Sequence, residues 1–169
     1  ELERLANTDQ LTHLANRREF AARGEAELER RRRTGTPLAV VCVDIDHFKQ
    51  INDRFGHAGG DIALRAIADA FRRAVRTIDI PARLGGEEFA ILMPATPPAD
   101  AVVVAERLRA GLAGTDLTMP CATSIKVTAS FGVAMVRESE ENLEPALRRS
   151  DEALYRAKHN GRNRVELVQ

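Results

Sequence analysis

Two aspartates, Asp44 and Asp46, end a short apolar segment, and their type and spacing could support chemistry. Alternation along an extended strand puts their side chains on the same side. Neighbouring carboxylates repel each other unless a cation neutralises them, and hard divalent cations take oxygen ligands of this kind. The pair therefore predicts a metal site. The alternative is a pair of caps for the following helix, a role that suits Asp46.

A second group of charged residues follows two glycines in segment 83–89, which reads Arg-Leu-Gly-Gly-Glu-Glu-Phe. Gly85 and Gly86 allow a tight turn and let another group approach the backbone closely. Glu87 and Glu88 are predicted at the tip of a hairpin, either as an ordinary solvated turn or as further ligands of the same cation. Sequence spacing does not establish that this tip lies beside the aspartate pair.

The third candidate is a cationic pair, Lys158 and Arg162, at the predicted end of the last helix. Residues four apart share a helix face while the helix lasts, and such a pair can hold a polyphosphate. The alternative is a set of cations that only complements the helix dipole. Together with the carboxylates, the pair points to a metal–phosphate site if these segments meet in the fold.

The composition restricts the class of protein. The chain has 169 residues, with 25 basic and 25 acidic side chains and no formal net charge. This length suits one domain, and the neutral balance argues against a nucleic-acid-binding protein. No apolar run is long enough to span a membrane, and no signal peptide opens the chain. Cys42 and Cys121 are predicted to be small buried hydrophobic residues without a disulfide, in a reducing cytoplasm.

Helices and strands must position these side chains, and hydrophobic periodicity predicts both. Helices are predicted over 10–33 (capped by Thr8 or Asp9), 48–55, 61–75, 99–112 and 143–159, with a break at 56–60. Strands are predicted over 38–43, 81–84, 89–93, 125–135 and 165–168. The interleaved order with a hairpin in the middle predicts an α/β fold of the α+β kind, with a mostly antiparallel central sheet flanked by helices.

Four segments, in order, resemble the GGDEF-domain diguanylate cyclases. They are residues 9–18, 44–61, 85–89 and 155–163, and the third is similar to the family signature in its GGEEF form. The resemblance extends over nearly the whole chain. It implies a fold like the palm of nucleotide polymerases and class III nucleotidyl cyclases. It also implies the condensation of two GTP molecules into cyclic di-GMP, a bacterial signal, with release of two pyrophosphates.

The resemblance further implies roles for the matching residues. The ligands of two Mg²⁺ or Mn²⁺ ions per half-site would be Asp44, the backbone carbonyl of Ile45, and Glu87. The catalytic carboxylates would be Asp44, Glu87 and Glu88. The guanine-binding residues would be Asn52 and Asp61. The phosphate-binding residues would be His47, Phe48, Lys49, Lys158 and Arg162. The family often has a bulkier residue at His47, but this position contributes mainly backbone, so an active enzyme is expected.

A separate Arg-x-x-Asp motif, Arg76 to Asp79, leaves five residues between Asp79 and Gly85. This register resembles the family's product-inhibition site, and Arg107 matches its supporting position. A salt-bridged helix end is the alternative. Because one domain holds one GTP, the resemblance implies a C₂ homodimer for catalysis.

The domain organisation follows from the same resemblance. Residues 1–8 are interpreted as the end of an upstream connecting helix and residues 9–169 as a single domain. Its expected partners are GTP and cyclic di-GMP, with no nucleic acid and no membrane contact by this domain, although the parent protein could be membrane-attached. The alternative function is a catalytically silent module that binds these nucleotides or dimerises. The intact acidic positions favour the cyclase.

Overall fold

Four long helices alternate with seven strands in residues 6–169, the part of the chain that the computed structural model describes. In chain order the elements are α1 (Arg17–Thr34), β1 (Leu38–Ile45), α2 (Phe48–Ala74), β2 (Ile80–Gly85), β3 (Glu88–Pro94), α3 (Pro98–Ala113), β4 (Asp116–Thr118), β5 (Ser124–Lys126), β6 (Ala129–Met135), α4 (Glu144–His159) and β7 (Val165–Val168). The connecting helix predicted over 1–8 falls largely on residues 1–5, outside the described residues. Among the described helices, none is both long and apolar enough to cross a membrane.

Strand β1 is the centre of a five-stranded sheet with the order β2-β3-β1-β6-β7. It pairs antiparallel with β3 and with β6, β2 pairs antiparallel with β3, and β7 runs parallel to β6. The predicted mostly antiparallel sheet is therefore confirmed. All eight residues of β1 are buried, which explains why its sequence is a continuous apolar run rather than an alternating one.

Helices cover both faces of the sheet, and alternate residues of β1 enter two separate cores. Val41 and Val43 pack in the larger core, which includes Phe71 of α2 and Leu108 of α3. The smaller core lies against α1 and α4 on the opposite face. Its members include Phe20, Leu28, Val40, Leu92 and Ala146. The sheet is thereby held between two helical layers, and its strand ends remain available for a site.

Helix α4 packs against the sheet through a glycine. A Cβ atom at Gly132 of β6 would lie closer than 3.0 Å to the Ser150 carbonyl oxygen and the Leu154 amide nitrogen. The buried Ser150 hydroxyl accepts a hydrogen bond from the Cys42 amide and donates one to the Gly132 carbonyl, both at 2.8 Å. This hydroxyl therefore connects β1, β6 and α4, the helix that ends with Lys158.

The first helix begins later than predicted. Its N-cap is Asn16, whose side chain accepts from the Glu19 amide at 3.0 Å, so caps at Thr8 or Asp9 are wrong. Asp9 instead accepts from the Thr12 amide and hydroxyl, and His13 takes a left-handed backbone with φ 57°. These local bonds form a turn that competes with the helix.

Two other boundaries and the burial of one cysteine differ from the predictions. The break predicted over 56–60 is a kink at Gly56 alone, with φ 71° and ψ −179°. The strand predicted over 125–135 divides into β5 and β6, because Thr128 turns to bond Asp46 through its carbonyl and its hydroxyl. Both cysteines are free thiols, as predicted, but Cys121 is exposed beyond β4 rather than buried.

Candidate active site

The sheet brings the predicted carboxylates together at one end of β1. Asp44 lies opposite Glu88 in the β1–β3 ladder and opposite Ser130 in the β1–β6 ladder. The hairpin tip, whose position the sequence spacing left open, therefore lies beside Asp44. Ile45 follows as the last residue of β1. Antiparallel pairing creates this neighbourhood from residues more than forty positions apart.

Lys158, from the last turn of α4, donates a hydrogen bond to Oδ2 of Asp44 and forms an ion pair with it. Asp44 is only 8% exposed. Its burial raises the pKa of Asp44 above the ordinary value against the effect of Lys158, and the nearby charges of Glu87 and Glu88 raise it further. The Asp44 carboxylate therefore lies between the Lys158 ammonium, which stabilises its charged form, and two glutamates, which disfavour it.

The β2–β3 turn needs its two glycines. Gly85 and Gly86 have φ values of 152° and 49°. Residues that carry a side chain rarely adopt these backbone conformations. The turn leaves Glu87 half-buried at the tip, while Glu88 is the exposed first residue of β3. Both glutamates were predicted at the tip of the hairpin. In the structure only Glu87 lies at the tip, and Glu88 belongs to the β1–β3 ladder.

The segment before α1 holds this hairpin, a support that the sequence reasoning missed. Arg83 forms an ion pair with Asp9 at 3.1 Å and donates to the Gly86 carbonyl at 2.9 Å. Arg17 donates to the Leu84 carbonyl at 3.2 Å. Burial disfavours the Asp9 carboxylate, but hydrogen bonds from Thr12 and the charge of Arg83 outweigh it and lower the pKa of Asp9. The signal in the sequence was an arginine two residues before the glycine pair.

The predicted phosphate-binding residues lie at the start of α2, in the last turn of α4 and in the loop that follows α4. His47 has a left-handed backbone with φ 56° and precedes α2, whose N terminus receives no side-chain cap. Phe48 is half-buried, and Lys49 is exposed in the first turn. Arg162 is exposed in the loop after α4, with φ 63°. Since α4 ends at His159, Arg162 does not share a helix face with Lys158.

The predicted guanine-binding residues flank the kink in α2. Asn52 lies before Gly56 and Asp61 lies after it, and both are half-buried. The Asn52 carboxamide rests on Gly60, where a Cβ atom would come closer than 3.0 Å to its oxygen. The glycine thus makes room for the Asn52 side chain, a packing role that the sequence reasoning did not assign.

Arg76 and Asp79 form an internal ion pair at 2.9 Å. The Arg76 guanidinium also donates to the Pro94 carbonyl at 3.0 Å and to the Thr96 hydroxyl at 2.5 Å. Asp79 is buried, whereas the Arg76 side chain is 47% exposed. Arg107 of α3 donates to the Ala74 carbonyl at the end of α2. Arg107 therefore contacts the end of α2, two residues before Arg76, and Arg76 already has partners within the chain.

A groove of about 440 Å³ extends from this site between α1 and α4. Its lining includes Asp44, Glu88 and Lys158, together with the exposed Tyr155. Cys42 also lines the groove, and burial raises the pKa of its thiol to about 12. This thiol is therefore neutral near pH 7 and is a poor nucleophile.

The carboxylates do not form a complete metal cage. Within residues 6–169, no three His, Cys, Asp or Glu side chains converge in a geometry ready for a metal ion. The donor set nevertheless fits a hard cation, because Asp44 is a buried carboxylate that already faces a cation, the Lys158 ammonium, with two glutamates nearby. The site can thus hold positive charge between carboxylates.

Comparison with known proteins agrees with this arrangement. Residues 6–164 match the family described as diguanylate cyclase, GGDEF domain. The response regulator PleD of Caulobacter vibrioides (strain NA1000 / CB15N) is 43% identical over 162 residues, which are 95% of this chain and 36% of PleD. The chain thus spans little more than a third of this curated relative.

Solved structures give the same result for the fold. The GGDEF domain of DgcB from Caulobacter crescentus, in complex with c-di-GMP, superposes with a TM-score of 0.92 at 34% identity, covering 96% of this chain and 93% of that chain. The active GGEEF domain of a diguanylate cyclase from Vibrio cholerae has a TM-score of 0.85 at 35% identity, covering 92% and 98%. The predicted palm-like cyclase fold is confirmed, and the chain belongs to the GGDEF-domain family of diguanylate cyclases.

Proposed function

We propose that this chain is a diguanylate cyclase that joins two GTP molecules into cyclic di-GMP and releases two pyrophosphates. The observation that carries the proposal is the meeting of Asp44, Glu88 and Lys158 at the end of the sheet, in a chain of this family. Carboxylates beside an ammonium suit a metal-bound triphosphate, because the carboxylates can face the metal ions and the ammonium can face the phosphates.

The reaction requires two phosphoryl transfers of the same kind. In each, the 3′-oxygen of one GTP attacks the α-phosphorus of the other and forms the O3′–P bond. The bond from that phosphorus to the oxygen bridging to the β-phosphate breaks, and pyrophosphate leaves with the electron pair. Glu88, exposed beside Asp44, is the proposed acceptor of the 3′-hydroxyl proton.

Asp44, the Ile45 carbonyl and Glu87 are the proposed ligands of two Mg²⁺ or Mn²⁺ ions. Such ions, when bound, lower the pKa of an attacking hydroxyl and neutralise charge on the leaving pyrophosphate. Lys158, Arg162 and the turn at 47–49 bind the β- and γ-phosphates. The uncapped N terminus of α2 supports this assignment, since its first amides lack a side-chain acceptor.

Asn52 and Asp61 are the proposed guanine readers. Guanine presents adjacent N–H donors, which a carboxylate accepts, and a carbonyl oxygen, to which an amide donates. Both side chains are half-buried on either side of the kink in α2, so a base between them would be partly removed from water.

Replacing Gly60 with alanine is expected to weaken GTP binding without weakening the fold. The added methyl group displaces the Asn52 carboxamide, whose oxygen it would approach closer than 3.0 Å. Loss of one well-placed hydrogen bond predicts a KM for GTP about tenfold higher. Alanine is also the better helix former, so thermal unfolding should not move to lower temperature.

The matched control is Gly111→Ala in α3, where no atom lies within 4 Å of the added Cβ. That variant should keep its KM for GTP. An unchanged KM in Gly60→Ala would contradict the placement of Asn52 against guanine.

Replacing Arg76 with alanine is expected to relieve inhibition by the product. We propose that the exposed face of Arg76, with Asp79 and Arg107, binds cyclic di-GMP and keeps the two half-sites apart. The variant should need at least about tenfold more cyclic di-GMP for half-inhibition. It should also unfold at lower temperature, because buried Asp79 loses its ion-pair partner. The measurement is the initial rate at increasing added product, with exposed Arg65→Ala as the control.

Two domains, each holding one GTP, are proposed to meet as a C₂ homodimer, because each nucleotide must reach the other's α-phosphate. We place the reaction in the cytoplasm, where the free thiols Cys42 and Cys121 would remain reduced.

The deciding experiment is to incubate the purified protein with GTP and Mg²⁺ and to measure cyclic di-GMP and pyrophosphate. The proposal expects the two products in a ratio of about one to two, as the transfer chemistry requires. It also expects a rate per domain that rises with protein concentration as dimers form. Binding of GTP without either product, at any protein concentration, would favour the silent module instead.

A further inference from the structure

Asp46 has a different environment from Asp44, its neighbour in the predicted metal pair. Its carboxylate is 4% exposed and accepts three hydrogen bonds from within the chain. The Ser130 hydroxyl donates to Oδ1 at 2.6 Å, and the Thr128 hydroxyl and the Asn163 amide donate to Oδ2 at 2.7 and 2.9 Å. Neither of the predicted roles, metal ligand or helix cap, matches these bonds, since α2 has no side-chain cap.

The bond to Asn163 reaches a loop with an unusual backbone. Gly161, Arg162 and Asn163 have φ values of 119°, 63° and 45°, all in the left-handed region. Residues other than glycine hold this conformation rarely, and only where their surroundings impose it. The loop connects α4 to β7 and carries Arg162, so the conformation determines where that guanidinium projects.

Hydrogen bonds from four parts of the fold hold this loop, and one of them runs from the Arg109 guanidinium of α3 to Oδ1 of Asn163 at 3.0 Å. The Arg162 amide donates to the Ala157 carbonyl at 2.9 Å, and the Arg164 carbonyl accepts from the Phe131 amide at 2.9 Å. These two bonds attach the loop to α4 and to β6. The Asp46 carboxylate, just after β1, holds its middle.

Asp46 also stands directly before the turn at 47–49. Its amide donates to the Thr128 carbonyl at 2.9 Å, so its own backbone is anchored to the start of β6. The residue therefore connects two segments that are far apart in sequence, the 47–49 turn and the 161–163 loop. Both are phosphate-binding segments in the proposed function.

We infer that Asp46 is a positioning residue, which holds the Arg162 loop against the 47–49 turn so that both meet the same triphosphate. This inference rests on the proposed function. It assigns Asp46 a role through hydrogen bonds rather than through its charge, and it separates Asp46 from the metal ligands that Asp44 represents.

The two aspartates can be distinguished by isosteric replacement. In Asp46→Asn the amide oxygen can take the place of Oδ2 and accept from Thr128 and Asn163. The new NH₂ group then faces Ser130, whose hydroxyl can rotate to accept. We expect Asp46→Asn to keep kcat and KM for GTP within about threefold of the parent. Asp44→Asn removes a charge from the proposed metal site and should abolish turnover.

Truncation of Asp46 tests the positioning role itself. Asp46→Ala should raise KM for GTP about tenfold, with kcat changed by less than about threefold. Adding Arg162→Ala to this variant should have little further effect, because a misplaced guanidinium is already lost. Asp46→Ser, whose hydroxyl is one bond shorter than the carboxylate, should behave as Asp46→Ala does and serves if the alanine variant does not fold.

Hydrogen exchange at the Asn163 amide gives a readout independent of turnover. The amide should be protected in the parent and in Asp46→Asn and should exchange faster in Asp46→Ala or Asp46→Ser. The control is Ser130→Ala, which removes a bond to Oδ1 without touching the loop and should keep Asn163 protected.

The inference is overturned if Asp46→Asn loses turnover as Asp44→Asn does. It is also overturned if the rise in KM of the double variant Asp46→Ala/Arg162→Ala equals the product of the rises in the two single variants. Unchanged exchange of the Asn163 amide in the truncated variants also overturns it. A parent protein that makes no cyclic di-GMP but shows the expected exchange pattern would contradict the proposed function alone.

Discussion

Glu87→Gln is expected to abolish cyclic di-GMP synthesis. The substitution keeps the size and the hydrogen-bonding oxygen of the side chain but removes the charge at the tip of the β2–β3 hairpin. Glu87 lies close enough to Asp44 for its charge to raise the pKa of Asp44, so one cation could contact both carboxylates. A metal ligand in a phosphoryl-transfer site contributes several kcal/mol to the transition state, which predicts a loss of at least about a thousandfold in kcat/KM.

The measurement is the initial rate of cyclic di-GMP formation from GTP over a series of Mg²⁺ and Mn²⁺ concentrations. The matched control is Glu138→Gln, an exposed glutamate on the loop after β6, which should leave the rate unchanged. Partial recovery of Glu87→Gln at high metal concentration would support a weakened metal site. Turnover close to that of the parent protein would refute the assignment of Glu87 as a metal ligand.

Gly132→Ala is expected to have the largest effect on stability. The added methyl group would lie closer than 3.0 Å to two backbone atoms of α4, the Ser150 oxygen and the Leu154 nitrogen, which cannot rotate away as a side chain can. Helix α4 must then move off the sheet and break the Ser150 bonds to Cys42 and Gly132. Overpacking of a close contact costs up to about 3 kcal/mol, and we expect this substitution at that upper end.

Denaturant unfolding followed by circular dichroism measures the free energy directly. Gly111→Ala is again the control, because it makes the same change in a helix with open space and should be neutral or stabilising. A displaced α4 also moves Lys158 away from Asp44, so folded Gly132→Ala should turn over GTP more slowly than the parent. A stability equal to that of the parent would show that α4 does not approach β6 so closely.

Local patterns in the sequence were sufficient for most elements. The continuous apolar run before Asp44 predicts a buried strand, and the glycine pair between two apolar segments predicts a hairpin, because side-chain burial and turn geometry are properties of a few neighbouring residues. The same locality explains the errors. Nothing in periodicity shows that Thr12 would bond Asp9 and delay α1, or that Thr128 would turn toward Asp46 and divide a predicted strand.

The choice between alternatives at the site depended on distant pairing. By residue type and strand alternation alone, Asp44 and Asp46 are two carboxylates on the same side of a strand, and only the family resemblance assigns the metal to Asp44. In the fold, Asp44 faces the Lys158 ammonium, whereas Asp46 is fully engaged by Thr128, Ser130 and Asn163. Their partners come from β6, α4 and the loop after it, more than eighty residues along the chain.

Residue types and their order along the chain identify the family and the chemistry that it can perform, since these depend on motifs of a few residues. The arrangement of those motifs does not follow from them. The antiparallel register sets Glu88 opposite Asp44, the Gly132 contact sets the position of α4 against the sheet, and three left-handed residues direct Arg162. Each of these depends on packing between segments far apart in sequence, where close contact and hydrogen-bond satisfaction decide among geometries that local propensity leaves equal.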